Sequence, residues 1–206
     1  MVTRGIRFVL VSSLLFLVFG CATTQPKMAV DSASALPGGQ VTFTGKPLGL
    51  TGTPIAVGEP LPSVKLTDAM SMQDVDLSQQ KGSVLFLSIV PSLDTPVCEG
   101  QTHYLGEEGK RMPPGIKRIT ISRDIPFAQK RFAKEARLTE IQYLSDYKDG
   151  SFGRSTGLLI DGLMLLARAV ILVDKQGIVR YVQVVPELTH LPDMEKAFDQ
   201  AAELSK

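Results

Sequence analysis

Cysteine and histidine are scarce in this chain of 206 residues, with two of each. Two cysteines 77 positions apart, Cys21 and Cys98, are no framework for a disulfide-stapled scaffold. Two histidines beside them give no convincing three- or four-ligand metal set. Charge of one sign is also lacking: 22 basic residues face 21 acidic ones. No basic block or aromatic–basic interleaving appears, so a nucleic-acid role has no electrostatic support. Internal repeats are absent. The stretch from Phe8 to Phe19 is strongly apolar, yet too short to span a bilayer comfortably.

What surrounds that stretch gives it a meaning. Arg4 and Arg7 precede it and Gly20-Cys21 follows it, the layout of a charged n-region, an apolar h-region and a small residue before a cut. A signal ending in Gly-Cys resembles a bacterial lipoprotein signal, which implies that Cys21 is lipidated and becomes the new N-terminus. Ordinary secretion, with Cys21 lost or free, is the alternative. On this reading residues 1–20 are signal peptide. Residues 21–40, rich in Ala, Ser, Thr, Pro and Gly, are a flexible tether. Residues 41–206 are one globular domain, and about 165 residues suffice for a full core. Loss of Arg4 and Arg7 leaves the basic residues one short of the 21 acidic ones. With Cys21 lipidated, the domain holds one thiol and no structural disulfide, although it enters an oxidising compartment. Ala22, where an inner-membrane lipoprotein commonly has Asp, favours the outer membrane, with the domain facing the periplasm.

Within the domain, Val41–Thr44, a Gly45-Lys46-Pro47 turn and Leu48–Leu50 read as a small hairpin. Ser63–Thr67 reads as a short strand and Ser83–Val90 (SVLFLSIV) as a buried one. A helix to about Arg111 follows the cysteine, and Ile116–Ile121 is a further strand. Asp124–Leu138 reads as a helix with Asp124 as its cap and Pro126 in its first turn. Arg168–Val173 (RAVILV) and Ile178–Val185, joined by Asp174-Lys175-Gln176-Gly177, form a hairpin. Met194, Ala197, Phe198, Ala201 and Leu204 recur at helical spacing and give the last helix its apolar face. Periodicity alone supports an α/β class.

Cys98 carries the chemistry. The strand Ser83–Val90, then Pro91-Ser92-Leu93-Asp94-Thr95-Pro96-Val97, places the sulfur at or near the first turn of a helix. Unpaired backbone N–H groups and the positive helix end there favour thiolate over thiol. Thr95 can lie beside the sulfur and hydrogen-bond the thiolate or a substrate oxygen, while Pro91 and Pro96 stiffen the loop. The plain alternative is a proline turn with an inert buried cysteine. Arg168 follows Leu165, Leu166 and Ala167, and a guanidinium in apolar surroundings needs an anion or several acceptors. A thiolate at a neighbouring strand end would serve; an edge-strand arginine reaching solvent is the alternative. His103, five residues after Cys98, invites a metal reading that nothing completes. His190 reads as solvated, Asp94 as a turn former and Glu99 as a first-turn acid. Phe127 and Phe132 read as core residues able to wall a pocket, and Glu107–Arg111 as a solvated face.

Three separated segments in order now make a resemblance specific. PSLDTPVC (Pro91, Thr95, Cys98), DIPFAQKRFA (Asp124 to Ala133) and LARAVILVD (Leu166 to Asp174, with Arg168) resemble the thiol peroxidase branch of the peroxiredoxins. The resemblance runs from about Val41 to the C-terminus. It implies a thioredoxin-like (peroxiredoxin) α/β fold with an N-terminal β-hairpin, and a peroxidase that needs no metal or organic cofactor. The Cys98 thiolate would attack a hydroperoxide and become a sulfenic acid. Thr95 and Arg168, with loop N–H groups, would hold the peroxide, and Pro91 would shield the sulfur from bulk water. The chain also departs from the branch, in which a resolving cysteine usually follows the residues matching Arg131-Phe132. Here that residue is Ala133. A one-cysteine cycle is implied, recycled by an external thiol, either a thioredoxin-like protein or a low-molecular-weight thiol. A homodimer is compatible with the resemblance. The rival readings are a peroxide sensor and a thiol–disulfide exchange carrier, each using Cys98 without efficient turnover.

Overall fold

The computed structural model describes residues 28–206, so the signal segment and Cys21 lie outside the described residues. From the amino end come β1 (Val30–Asp31), β2 (Gln40–Phe43), β3 (Lys46–Thr51), β4 (Lys65–Asp68), β5 (Asp74–Asp76) and β6 (Leu85–Ile89). Then follow α1 (Pro96–Glu107), β7 (Lys117–Ser122), α2 (Pro126–Ala136), β8 (Ile141–Ser145), α3 (Ser151–Thr156) and β9 (Leu159–Ile160). The chain closes with β10 (Ala169–Val173), β11 (Val179–Val184), β12 (Leu191–Pro192) and α4 (Met194–Ser205).

β6 is buried along its whole length because both faces are covered. It lies inside a seven-stranded sheet of order β11-β10-β6-β7-β8-β4-β5. β6, β7 and β8 run parallel; β10 pairs β6 antiparallel and β11 pairs β10 antiparallel. Alternate residues of β6 serve different layers. Leu85, Leu87 and Ile89 join Ile119, Ile121 and Ile171 in a core that also takes Val41 and Leu50 from the β2–β3 hairpin. Phe86 faces the other way, into a core with Leu105 of α1, Phe132 of α2 and Phe198 of α4. Each such aliphatic or aromatic side chain withdrawn from water stabilises the fold by about 1.5–3 kcal/mol. The parallel β6–α1–β7 crossover leaves the start of α1 at the carboxyl end of β6, which is where Cys98 sits.

Three expectations need correction. Residues 28–40 are no loose tether. β1 pairs in parallel with β12, Val30 opposite Leu191, and Ala35 bridges to Val184 on the sheet edge. The amide of buried Gln183 donates to Asp31 O (2.7 Å) and Ala33 O (3.1 Å), and His190 Nδ1 lies 3.0 Å from Asp31 Oδ2. A small-residue composition says that little side-chain area is buried; it does not say where backbone groups pair. The hairpin turn is Thr44-Gly45, both at positive φ (50° and 78°), with Phe43 paired to Lys46. Two positive-φ residues give the turn whose twist matches the strands. Finally, Asp124 does not cap α2. Ile125 holds the cap position, Pro126 begins the helix, and the Asp124 carboxylate turns back to the loop before Cys98.

Candidate active site

Cys98 is the third residue of α1, two places after Pro96 at N1, and has no exposed surface. It is the cysteine among the described residues, and it is reduced and unpaired. Thr95 takes the cap position in extended conformation without a side-chain capping bond. Pro96 brings no N–H, so the remaining first-turn N–H groups and the helix dipole present positive potential at the sulfur's end of the helix.

Arg168 approaches from the residue just before β10. Its Nη2 lies 3.4 Å from Cys98 Sγ. The side chain is almost fully buried, 2% exposed, and three more of its donors are fixed. Nε and Nη2 donate to Leu188 O at 3.1 and 2.9 Å, and Nη1 donates to Gln101 Oε1 at 2.8 Å. Among the described residues no carboxylate makes an ion pair with it. A buried guanidinium held by neutral acceptors keeps its charge available for an anion. The sulfur is the group placed to supply that anion.

Gln101 is the site residue that sequence reasoning missed. It is wholly buried one helical turn beyond Cys98, and its Nε2 donates to Ser88 Oγ of β6 at 2.8 Å. The spacing Cys98 to Gln101 was the available signal, since residues three apart share a helix face. A polar amide on that face, next to the predicted nucleophile, had to find partners.

A cavity of about 340 Å³ opens onto this arrangement, walled by Phe43, Pro91, Thr95, Val97, Leu163 and Thr189 among others, with Cys98 and Arg168 at its base. Pro91 and Thr95 thus stand where expected. The Thr95 hydroxyl, however, donates to Ser92 O at 3.0 Å and makes no bond to the sulfur. Its proton is committed, so toward the cavity it has only lone pairs to give. The other expectations divide. His103 lies between Glu99 and Glu107 on the same helix, 3.8 and 3.1 Å away, apart from the sulfur. His190 is half-buried against Asp31 rather than solvated, because the paired amino-terminal strand brings that carboxylate to it. Phe132 is core, packed near Tyr143, but Phe127 is 67% exposed and lines neither core nor cavity. Asp94 pairs with Arg131 at 3.1 Å. Arg111, at the end of the supposed solvated face, reaches Glu195 at 2.7 Å and lies over the Phe198 ring. Ala133 is buried in the same core as Cys98.

Glu187 braces the cavity from outside. Its carboxylate accepts from Thr42 Oγ1 (2.8 Å), Thr44 N (2.9 Å), Gly45 N (3.0 Å) and Thr189 Oγ1 (2.9 Å). Burial pushes its carboxyl up, but these donors outweigh that and hold it at about 2, below the usual 4.5. The carboxylate thereby ties the turn beside Phe43 to the segment whose Leu188 carbonyl grips Arg168.

Residues 56–198 match the Redoxin family, well over half of the chain. The chain belongs to the Redoxin family. A thiol peroxidase of Halalkalibacterium halodurans is 42% identical over 78% of this chain and 96% of its own length. One of Bacillus subtilis is 37% identical over 81% and 99% respectively. Among solved structures, a peroxiredoxin-like protein from Aquifex aeolicus superposes with a TM-score of 0.76 at 34% identity, covering 84% of this chain and 99% of that one. This Redoxin-family chain has the thioredoxin-like peroxiredoxin fold and is an enzyme of the peroxiredoxin peroxidase type.

Proposed function

We propose that this Redoxin-family enzyme reduces hydrogen peroxide and alkyl hydroperoxides by a one-cysteine cycle at Cys98. The observation that carries the proposal is the 3.4 Å approach of the Arg168 guanidinium, buried and without a carboxylate partner, to the Cys98 sulfur. The Cys98 thiolate attacks the terminal oxygen of ROOH. The S–O bond forms as the O–O bond breaks, and the leaving RO⁻ takes a proton from solvent to give ROH, leaving Cys98 as sulfenic acid. Arg168 and the first-turn N–H groups stabilise the negative charge as it moves from sulfur to the leaving oxygen. Thr95, its proton held by Ser92 O, accepts a hydrogen bond from the peroxide.

No second thiol lies among the described residues to resolve the sulfenic acid. An external thiol therefore condenses with it, releasing water and forming a mixed disulfide. A second external thiol frees Cys98 and leaves as the disulfide. We further propose that Cys21 is lipidated and anchors the domain to a bacterial envelope membrane facing the periplasm, the outer membrane in preference to the inner, on the strength of the Gly20-Cys21-Ala22 signal.

The test of the activity is rapid mixing of the purified full chain with hydrogen peroxide and with an alkyl hydroperoxide, trapping the sulfenic acid. The proposal expects a second-order rate constant orders of magnitude above that of a free thiol, and its loss in Cys98→Ser. A rate near that of free cysteine would replace it with the thiol-exchange reading. Fast oxidation that no thiol reverses would favour a sensor. For the anchor, the test is the mass of the mature amino terminus, expected to carry acyl chains on Cys21 and to lose them in Cys21→Ser.

A further inference from the structure

The loop between β6 and α1 leads into the helical turn that carries Cys98, yet its own residues are few and short. Ser92, Leu93 and Asp94 make no strand pairing, so something must hold them. One carboxylate does much of it. Ser92 Oγ donates to Asp124 Oδ1 at 2.7 Å, and the backbone N–H of Leu93 donates to Asp124 Oδ2 at 2.7 Å. Ser122 Oγ donates to Oδ2 as well, at 2.7 Å, and the Ser145 hydroxyl donates to the Asp124 carbonyl. The carboxylate is thus fixed from β7 and β8 before it meets the loop, and it holds two successive residues of that loop with one oxygen each.

We infer that Asp124 is a positioning residue for the peroxidase reaction, acting through Ser92 and Leu93 on Thr95 and Cys98. The route is short and continuous. Asp124 fixes both sides of the Ser92–Leu93 peptide; the Ser92 carbonyl of that peptide takes the Thr95 proton at 3.0 Å, and Thr95 is the cap residue of the helix that carries Cys98. Rotation of that peptide would release the Thr95 proton and shift the first turn of α1 relative to Arg168, which is anchored separately on Leu188 O and Gln101. Hydrogen bonds to a charged acceptor are the strong ones among those available, and two to one fixed carboxylate define an orientation. A misplacement of about 1 Å in a site of this kind costs on the order of 100-fold in rate. Asp124 touches neither sulfur nor cavity, so its effect falls on the step that needs Cys98, Thr95 and Arg168 in register. That step is oxidation by peroxide. Reduction of the sulfenic acid by a small thiol does not need the register.

The inference rests on the proposed peroxidase reaction, and the experiment separates the two. In rapid-mixing single turnovers, the full chain and its Asp124→Asn variant are oxidised by hydrogen peroxide, and the preformed sulfenic acid is reduced by dithiothreitol. Asp124→Asn is expected to slow oxidation at least tenfold, to leave reduction within about twofold of the wild type, and to melt as one cooperative unit. Ser92→Ala, which removes one of the two loop ties and leaves Asp124 in place, is expected to fall between. Slow oxidation of the wild type itself would sink the peroxidase reading. Fast wild-type oxidation with an equally fast, folded Asp124→Asn would overturn the role of Asp124. An equal fall in both half-reactions would overturn it too, since that is damage rather than positioning. If Asp124→Asn does not fold, Ser92→Ala decides by the same two half-reactions.

Discussion

Replacing Glu187 with Gln removes a negative charge and turns an acceptor into a donor against five hydrogen-bond donors, Thr189 N at 3.2 Å being the fifth. In the folded protein the carboxyl is held at about 2, against 4.5 for the ordinary group. At about 1.4 kcal/mol per unit, the depression sets a ceiling of about 3 kcal/mol on the charge-dependent stability. Glu187 is only partly buried, so solvent screening reduces the expected figure to about 1–2 kcal/mol. The sign follows from the depressed value. Above the unfolded group's 4.5 the carboxylate is charged in both states and its contribution is complete. As pH falls below that, the unfolded chain takes up the proton first, and the contribution drains away until it is lost near pH 2. Urea unfolding of wild type and Glu187→Gln at pH 7, 5.5, 4 and 3 reads this directly, because other carboxyls cancel in the difference. The gap should be about 1–2 kcal/mol and flat from pH 7 to 5.5, then narrow at pH 4 and again at pH 3. At neutral pH it corresponds to a melting temperature lower by about 2–4 °C per kcal/mol for a chain of this size. A gap that stays constant to pH 3, or none at pH 7, would show that the charged carboxylate does not hold the Thr44-Gly45 turn as described.

Arg168→Lys keeps the charge but cannot reach the sulfur, Gln101 Oε1 and Leu188 O together; single-turnover oxidation should slow at least tenfold, and a rate within twofold would remove the guanidinium geometry from the mechanism. Gln101→Leu leaves Arg168 Nη1 and Ser88 Oγ without partners in the interior, so denaturant unfolding should show a loss of about 1–3 kcal/mol. Its oxidation rate should fall with it, and unchanged stability would mean that the amide bridge is idle. Ala133→Cys places a thiol where the branch commonly has its resolving cysteine; after peroxide, mass spectrometry of the intact chain should find an internal disulfide with Cys98, and persistence of a free sulfenic acid would show that more than one residue was lost with that step.

The parts of this fold that bury continuous apolar runs were legible in the sequence. SVLFLSIV and RAVILV became β6 and β10 with ends moved by a residue or two, and the last helix showed its face through Met194, Ala197, Phe198 and Ala201. β8 was not legible. Its residues are IQYLS, and a strand covered on both faces by neighbours has no need of a clean alternation. α3 has six residues, too few to show a period, and its start is bound by the buried Asp146 carboxylate accepting from Phe152 N and Gly153 N and by Asp149 accepting from Ser151 N. At the site, Cys98 and Arg168 stood out from local context, each with a plain alternative, and the resemblance to the thiol peroxidase branch supplied the roles expected of them and of Pro91 and Thr95; the structure brings the four to one cavity. Gln101, Asp124 and Glu187 did not stand out, because each works on residues far away in the chain or buried by it. Asp124 looked like a helix cap because Asp is a favoured cap residue and Pro126, two places on, suits a first turn. Its three donors come from residues 92, 93 and 122, and no window along the chain contains them all with their geometry.

In the proposed one-cysteine cycle, the buried sulfur would also divide the external thiols by size. A thiol small enough for the cavity can meet the sulfenic acid with the loop in place. A protein thiol cannot, since Cys98 lies at the base of that cavity, and must wait for the Ser92–Thr95 loop to move. Moving it breaks the two bonds to Asp124 and the exposed Asp94–Arg131 pair. The first two cost about 1.5 kcal/mol each at the low end for charged acceptors, and the exposed pair adds little. An opening cost of roughly 3 kcal/mol leaves on the order of one molecule in 100 open at any moment. Loosening the loop then has opposite effects on the two half-reactions. Asp124→Asn, slow toward peroxide, should be reduced faster than the wild type by a thioredoxin-sized dithiol while remaining equal to it with dithiothreitol. Equal rates with the large reductant would show that the protein thiol reaches Cys98 by another path, and that the ties to Asp124 set the register of the site without gating it.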